Sequence, residues 1–222
     1  MNKMKLTLSA ALFAAALPML QGCFPIIAGG VAAGVMSAHD RRLTGVQTDD
    51  ETAEWKAAAA IPAHFKDKSH VNFTAYNQRV LITGEVPSEE ARTLIGEQTL
   101  KVDRVQTIYN ELKVAPPSSF SSRSGDSYIT SKIKARLVDS NQLSANHIKV
   151  VTEASTAYLM GLVNEREAKV AVNIARTTDG VFKVVNVMEV ISEAETKRRD
   201  TAITGGAQNA PARSTPAPVE NR

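Results

Sequence analysis

Few residues of this 222-residue chain have the type and spacing to do chemistry. The one cysteine, Cys23, offers a thiol nucleophile and leaves no partner for a disulfide within the chain. It ends an apolar stretch, a setting for covalent modification rather than catalysis. His39, His64, His70 and His147 are scattered without metal-ligand spacing, so no metal site is predicted. There is no P-loop, HExxH or GxSxG pattern, and Gly84 and Gly161 stand in strand-like stretches without a GxGxxG run. Glu89, Glu90, Glu165 and Glu167 fall where acids of a first helical turn sit, favourable against the helix dipole. No catalytic residue and no diffusible cofactor is predicted, and the chain reads as non-enzymatic.

Charge placement is more informative. The net charge of +3 is too small to imply nucleic acid. Residues 49–114 hold 8 basic and 11 acidic side chains, a net of −3, whereas residues 126–191 hold 8 and 7, a net of +1. Ile129, Ile133 and Leu137 make the core stripe of a helix in the second region, with Tyr128, Lys132 and Arg136 on one flank. An amphipathic ring with cations beside it suits an interface with anionic headgroups. On the residues alone, a solvated helix face is the plainer account.

The elements that would position these residues occur twice. Val80-Leu81-Ile82-Thr83-Gly84-Glu85-Val86 and Ala157-Tyr158-Leu159-Met160-Gly161-Leu162-Val163 are matching strands, with Gly84 and Gly161 77 positions apart. Each is followed by a cap, Ser88 or Asn164, and an acidic helix start; Asn164 with Glu167 has the capping-box pattern. Val105-x-x-Ile108-x-Asn110-x-Leu112-x-Val114 matches Val181-x-x-Val184-x-Asn186-x-Met188-x-Val190 at an offset of 76. Self-similarity at a fixed offset predicts two homologous α+β modules, 49–114 and 126–191. Each is read as αββαβ, a three-stranded mixed sheet with two helices on one face. In the first module, Trp55 and the run Ala57 to Ile61 are expected to form the buried face of the opening helix. In the second, Asp126 or Ser127 is expected to cap the first helix.

Around the modules, Lys3 and Lys5 precede an apolar stretch, Leu6 to Leu20, too short for a comfortable membrane span, so residues 1–22 read as an export signal. Residues 23–48 read as a tether, in which Arg41 and Arg42 are candidates for headgroup contact. Residues 115–125, with Pro116-Pro117 and five serines, read as a linker, and residues 192–222 as a disordered Ala/Pro-rich tail.

Leu20-Gln21-Gly22-Cys23 resembles a bacterial lipobox, which implies that Cys23 carries diacylglycerol and a further acyl chain, together a stable anchor. Phe24, in place of the aspartate that retains such proteins in the inner membrane, points to the outer membrane. The repeated strand, glycine, capped helix and V-x-x-V-x-N-x-L strand resemble the BON domain. Two of them behind a lipobox resemble the dual-BON outer-membrane lipoproteins of the DolP-like family, over roughly residues 20–191. The resemblance implies an envelope protein on the periplasmic face, enriched at division sites and supporting outer-membrane integrity. It implies contact with anionic phospholipid, phosphatidylglycerol or cardiolipin, at Tyr128, Ile129, Lys132, Arg136 and Leu137, and it makes lipid contact the favoured reading. The alternative is a non-enzymatic adaptor that docks envelope-assembly or division proteins.

Overall fold

Three short signals, a two-residue turn, a helix cap and an Asx turn, set the chain path in both halves of the molecule. The computed structural model describes residues 40–208, with side chains to Ile203. The expected signal segment 1–22, Cys23, the tether up to His39 and residues 209–222 lie outside the described residues. The first half runs α1 (Thr44–Ala59), a short α2 (Ala63–Lys66), β1 (His70–Tyr76), β2 (Arg79–Val86), α3 (Glu89–Leu100), β3 (Thr107–Asn110) and β4 (Lys113–Val114). The second half runs α4 (Phe120–Ser140), a 3₁₀ turn (Ala145–His147), β5 (Ile148–Glu153), β6 (Thr156–Val163), α5 (Glu165–Arg176), β7 (Lys183–Asn186) and β8 (Glu189–Val190). A last helix, α6, spans Glu193–Gln208.

In each module the central strand pairs antiparallel with the strand before it and parallel with the strand after the helix. The expected αββαβ order and mixed sheet are therefore present twice, with the last strand divided in two. An Asx turn makes the division: the Asn110 carboxamide accepts the Leu112 N–H at 3.3 Å, and Asn186 accepts that of Met188 at 3.0 Å. The turn swings Leu112 and Met188 into the cores while the second fragment rejoins the central strand.

The hairpins turn through Asn77-Gln78 and Ala154-Ser155, all four with positive φ, the left-handed pair that a two-residue hairpin of this twist requires. Neither turn contains glycine, so each needs outside support. It comes from an aspartate in the preceding helix: Asp50 of α1 accepts the N–H groups of Asn77 and Gln78 at 2.7 Å each, and Asp126 of α4 accepts those of Ala154 and Ser155 at 3.0 and 2.9 Å. Both aspartates are buried. Glycine is demanded at the matched position of the central strands. A Cβ on Gly84, whose φ is +114°, would lie 1.9 Å from the His70 carbonyl oxygen, and one on Gly161 would lie 2.4 Å from that of His147.

Side chains of the central strands divide between two cores. Val80, Ile82 and Val86 point to the helices of their own module, as do Ala157, Leu159 and Val163. The alternate residues Leu81, Tyr158, Met160 and Leu162 join Tyr76 and Val187 in a third cluster between the two sheets. Polar pairs rim it: Lys149 Nζ reaches Glu54 at 2.8 Å, and Asn77 and Arg79 meet Glu189 at 2.9 and 3.1 Å.

Four expectations are corrected. Trp55 is 80% exposed, because α1 presents Asp50, Ala53 and Ala57 inward and Trp55 falls on the opposite side of the wheel. The helix α4 begins at Phe120, capped by Ser119, so part of the expected linker is helical and Asp126 serves the hairpin rather than a cap. Residues 193–208 of the expected disordered tail are helical. Ser192 caps the Glu195 N–H, and Lys197–Glu193 and Arg199–Glu195 pair at i,i+4, so charge rather than apolar burial orders this segment. Arg41 and Arg42 are enclosed in ion pairs, which occupy the N–H groups that a headgroup would need.

Replacing Asp126 with alanine would strand two hairpin N–H groups, and the expected loss is about 2–4 kcal/mol in urea unfolding. The exposed neighbour substitution Ser127→Ala should stay within about 0.5 kcal/mol.

Candidate functional site

The helix α4 places the expected lipid-contact residues in two different environments. Ile129, Ile133 and Leu137 are 8%, 0% and 0% exposed and belong to the second module's core. Ile129 and Leu137 are therefore withdrawn from the contact surface, since the stripe that docks the helix has no area left for a ligand. Tyr128 is 66% exposed. Lys132 lies beside it, with Nζ 5.0 Å from the ring centroid, and donates to the Asp179 carbonyl. Arg136 donates to the Ile174 carbonyl at 2.9 Å and to the hydroxyls of Thr178 and Thr177 at 2.7 and 3.0 Å. It closes the C-terminus of α5, where a cation is favoured by the helix dipole. Arg136 remains exposed, but its guanidinium is already committed to structure.

The Asp179–Phe182 loop packs against the middle of α4, beside Ile129 and Lys132. A Cβ on Gly180, with φ +92°, would meet the Ile129 side chain at 3.0 Å, so a larger residue would wedge the loop away from the helix. The loop ends in Phe182, which is 94% exposed while its N–H binds the Ser155 carbonyl at 2.8 Å. The ring is thus held outward at the hairpin turn that Asp126 clamps. Phe182 falls at an unassigned position of the Val181-x-x-Val184 pattern; it stands directly after Gly180-Val181 and before β7 begins at Lys183.

A second constellation surrounds Arg41, which is 4% exposed. Its five N–H groups are all used. Glu167 receives a bidentate pair at 2.7 and 2.9 Å, Asp200 receives Nε and Nη2 at 2.7 and 2.8 Å, and the Leu162 carbonyl receives Nη1 at 3.0 Å. Burial alone would raise the Glu167 carboxyl, but the hydrogen bonds from Arg41 and the Asn164 N–H hold it below the ordinary range. Asp200 is held low first by its hydrogen bonds to Arg41. Next to them, burial and the Arg41 charge push the His147 imidazole below its usual value. Arg42 stacks on Tyr76, 4.0 Å from the ring centroid, and pairs with Asp40 and Asp50 at 2.6 Å each. These groups join the chain before α1 to α5 and α6, and their saturation marks them as structural.

The family model for the BON domain matches residues 49–116 and 125–192. The chain belongs to the BON-domain family. Its two BON domains are the two modules of the fold, and the whole is a DolP-like arrangement. It is 35% identical over 193 residues to the outer membrane lipoprotein DolP of Haemophilus influenzae, covering 86% of this chain and 97% of that one. It is 32% identical over 154 residues to the 21 kDa hemolysin of Actinobacillus pleuropneumoniae, covering 68% and 79% of the two chains. The osmotically-inducible protein Y of Escherichia coli is 30% identical over 142 residues, 62% of this chain and 71% of that one. Among the described residues, no helix is long and apolar enough to cross a membrane.

Both titrating systems give acid sensitivity of the same sign. His147 is depressed, so the stability it carries is present above its unfolded value of about 6.5 and is lost as pH falls toward its folded value. Glu167 and Asp200 are depressed below unfolded values near about 4, so their share is lost at lower pH still. Urea midpoints measured from pH 7.5 to pH 3 should therefore fall in two stages, and His147→Gln should flatten the upper one. Arg41→Ala, which leaves buried Glu167 without its cation, should cost about 3–5 kcal/mol at neutral pH.

Proposed function

We propose that the chain is a lipoprotein anchored in the outer membrane through acylated Cys23, facing the periplasm, whose second BON domain binds anionic phospholipid in support of envelope integrity. The observation that carries this is two exposed rings, Tyr128 in the middle of α4 and Phe182 at the end of the loop that packs there, with Lys132 lying beside Tyr128 and donating to that loop. Exposed aromatic rings close to a cation suit an interface that carries anionic headgroups. Similarity to a relative named as an outer membrane lipoprotein supports the location. The absence of a membrane-crossing helix among the described residues accords with a covalent anchor. The protein acts by binding rather than by catalysis.

Tyr128, Lys132 and Phe182 take the place of the five residues expected from the sequence, with Arg136 as support behind them. Each cation near such a surface contributes about 1 kcal/mol, enough to select lipid charge but not to replace the anchor. Sedimentation with vesicles checks this. Residues 40–222, without acyl chains, should bind vesicles containing phosphatidylglycerol or cardiolipin, bind less at higher salt, and ignore neutral vesicles. The variant Tyr128→Ser, Lys132→Glu, Phe182→Ser should lose at least about tenfold in affinity while keeping its circular dichroism. Binding to neither vesicle would move the function to protein partners and leave the adaptor reading.

A further inference from the structure

The sheet-to-sheet interface ends in a polar cluster that neither the fold nor the lipid reading uses. His70 opens β1, and its cross-strand partner is Glu85 of β2. Glu153 ends β5 of the other module. Glu85 and Glu153 are 5% and 7% exposed. The His70 Nδ1 atom lies 3.5 Å from Glu85 Oε2 and 3.8 Å from Glu153 Oε1. One donor atom from each residue lies within 4.8 Å of the others.

Two features make this more than a meeting of acids. The first is charge: two buried carboxylates face each other, and among the described residues no lysine or arginine nitrogen lies within ion-pair distance of either. Even a protonated imidazole would offset only one of them. Buried charge without a counter-charge is strongly disfavoured. The second is unused bonding capacity. His70 Nδ1 is shielded from solvent without a hydrogen bond. Two nearby hydroxyls are in the same state: Thr83 Oγ1, two residues before Glu85 and 1% exposed, and Ser118 Oγ, whose own N–H donates to Glu85 Oε2 at 3.0 Å.

We infer that His70, Glu85 and Glu153 form a binding site for a divalent transition metal, with zinc the best match, that joins the two BON domains. An imidazole nitrogen with two carboxylates excludes magnesium and calcium as preferred occupants and suits zinc, whose +2 charge the two glutamates balance. Zinc bonds of about 2.0–2.1 Å place tetrahedral donors about 3.3 Å apart, a few tenths of an ångström closer than the two separations from His70, and the two carboxylates, within 4.8 Å of each other, would draw together around the ion. Outer contacts already orient the ligands. The Asn72 carboxamide holds Glu153 Oε2 at 3.0 Å, which leaves Oε1 toward His70, and Ser118 steadies Glu85. A cleft of about 250 Å³, lined by His70, Asn72, Arg123, Asp126 and Glu153 among others, gives the metal a way in and leaves room for a water as fourth ligand.

The test uses the full chain in detergent, stripped with chelator and titrated with zinc chloride by calorimetry, with cobalt(II) as a spectroscopic stand-in. The expected result is one zinc per chain, a raised melting midpoint, and visible cobalt absorption of a four-coordinate site. Glu153→Gln and Glu85→Gln, which keep the side-chain shape and remove like charge, should each weaken binding at least about tenfold and abolish the cobalt signal. Zinc bound equally by wild type and both variants would overturn the site, as would a wild-type chain with neither saturable binding nor a cobalt spectrum. Circular dichroism of the variants separates loss of ligand from loss of fold, and the wild-type spectrum decides the question even where a variant does not fold.

Discussion

Everything else in the molecule depends on each sheet having two apolar faces and only one set of helices. The helices of a BON domain cover one face; the other would stay in water in a single copy. Here the second copy covers it, through Tyr76 and Leu81 on one side and Tyr158, Met160, Leu162 and Val187 on the other. Burying each such side chain is worth about 1.5–3 kcal/mol, substantial for modules of this size. The central strands are consequently buried along nearly their whole length, and the polar groups at the ends of the interface are fixed by where the apolar ones meet.

The repeat, the order of elements and the capping box were legible in the sequence because each is local. A strand, a cap and a helix start lie within a dozen residues, and a second copy doubles the signal. The Asp50 and Asp126 clamps had a signal too, but they stand 76 apart while the hairpins they hold stand 77 apart, and the signal lies in a helix while its effect is on a turn. Trp55 misled because burial of an aromatic is the ordinary expectation; only the helix phase, set by Ala53 and Ala57 packing close, puts it outside. The tail misled for the opposite reason: its composition cannot bury a core, yet a cap, spaced ion pairs and the tie from Asp200 to Arg41 support its helix.

The candidate contact face shows the same division between local and distant information. The phase of α4 could be read directly, and it already separated Tyr128 and Lys132 from the core stripe. Phe182 could not be joined to them, because it follows a loop, some fifty residues further along the chain, that packs against the middle of the helix. Arg136 carries the right charge in the right place, but the end of a neighbouring helix competes for it, which only tertiary packing reveals.

Arg41 gives the molecule a mechanical property. Its guanidinium gathers the entering chain, the start of α5 and the last helix at one point. Tension drawn along the polypeptide from its N-terminal side meets this knot before it reaches α1 or β1. Five hydrogen bonds anchored on β6, α5 and α6 then share the load together instead of yielding singly. A pull entering from that side would in this way be kept from the sheets.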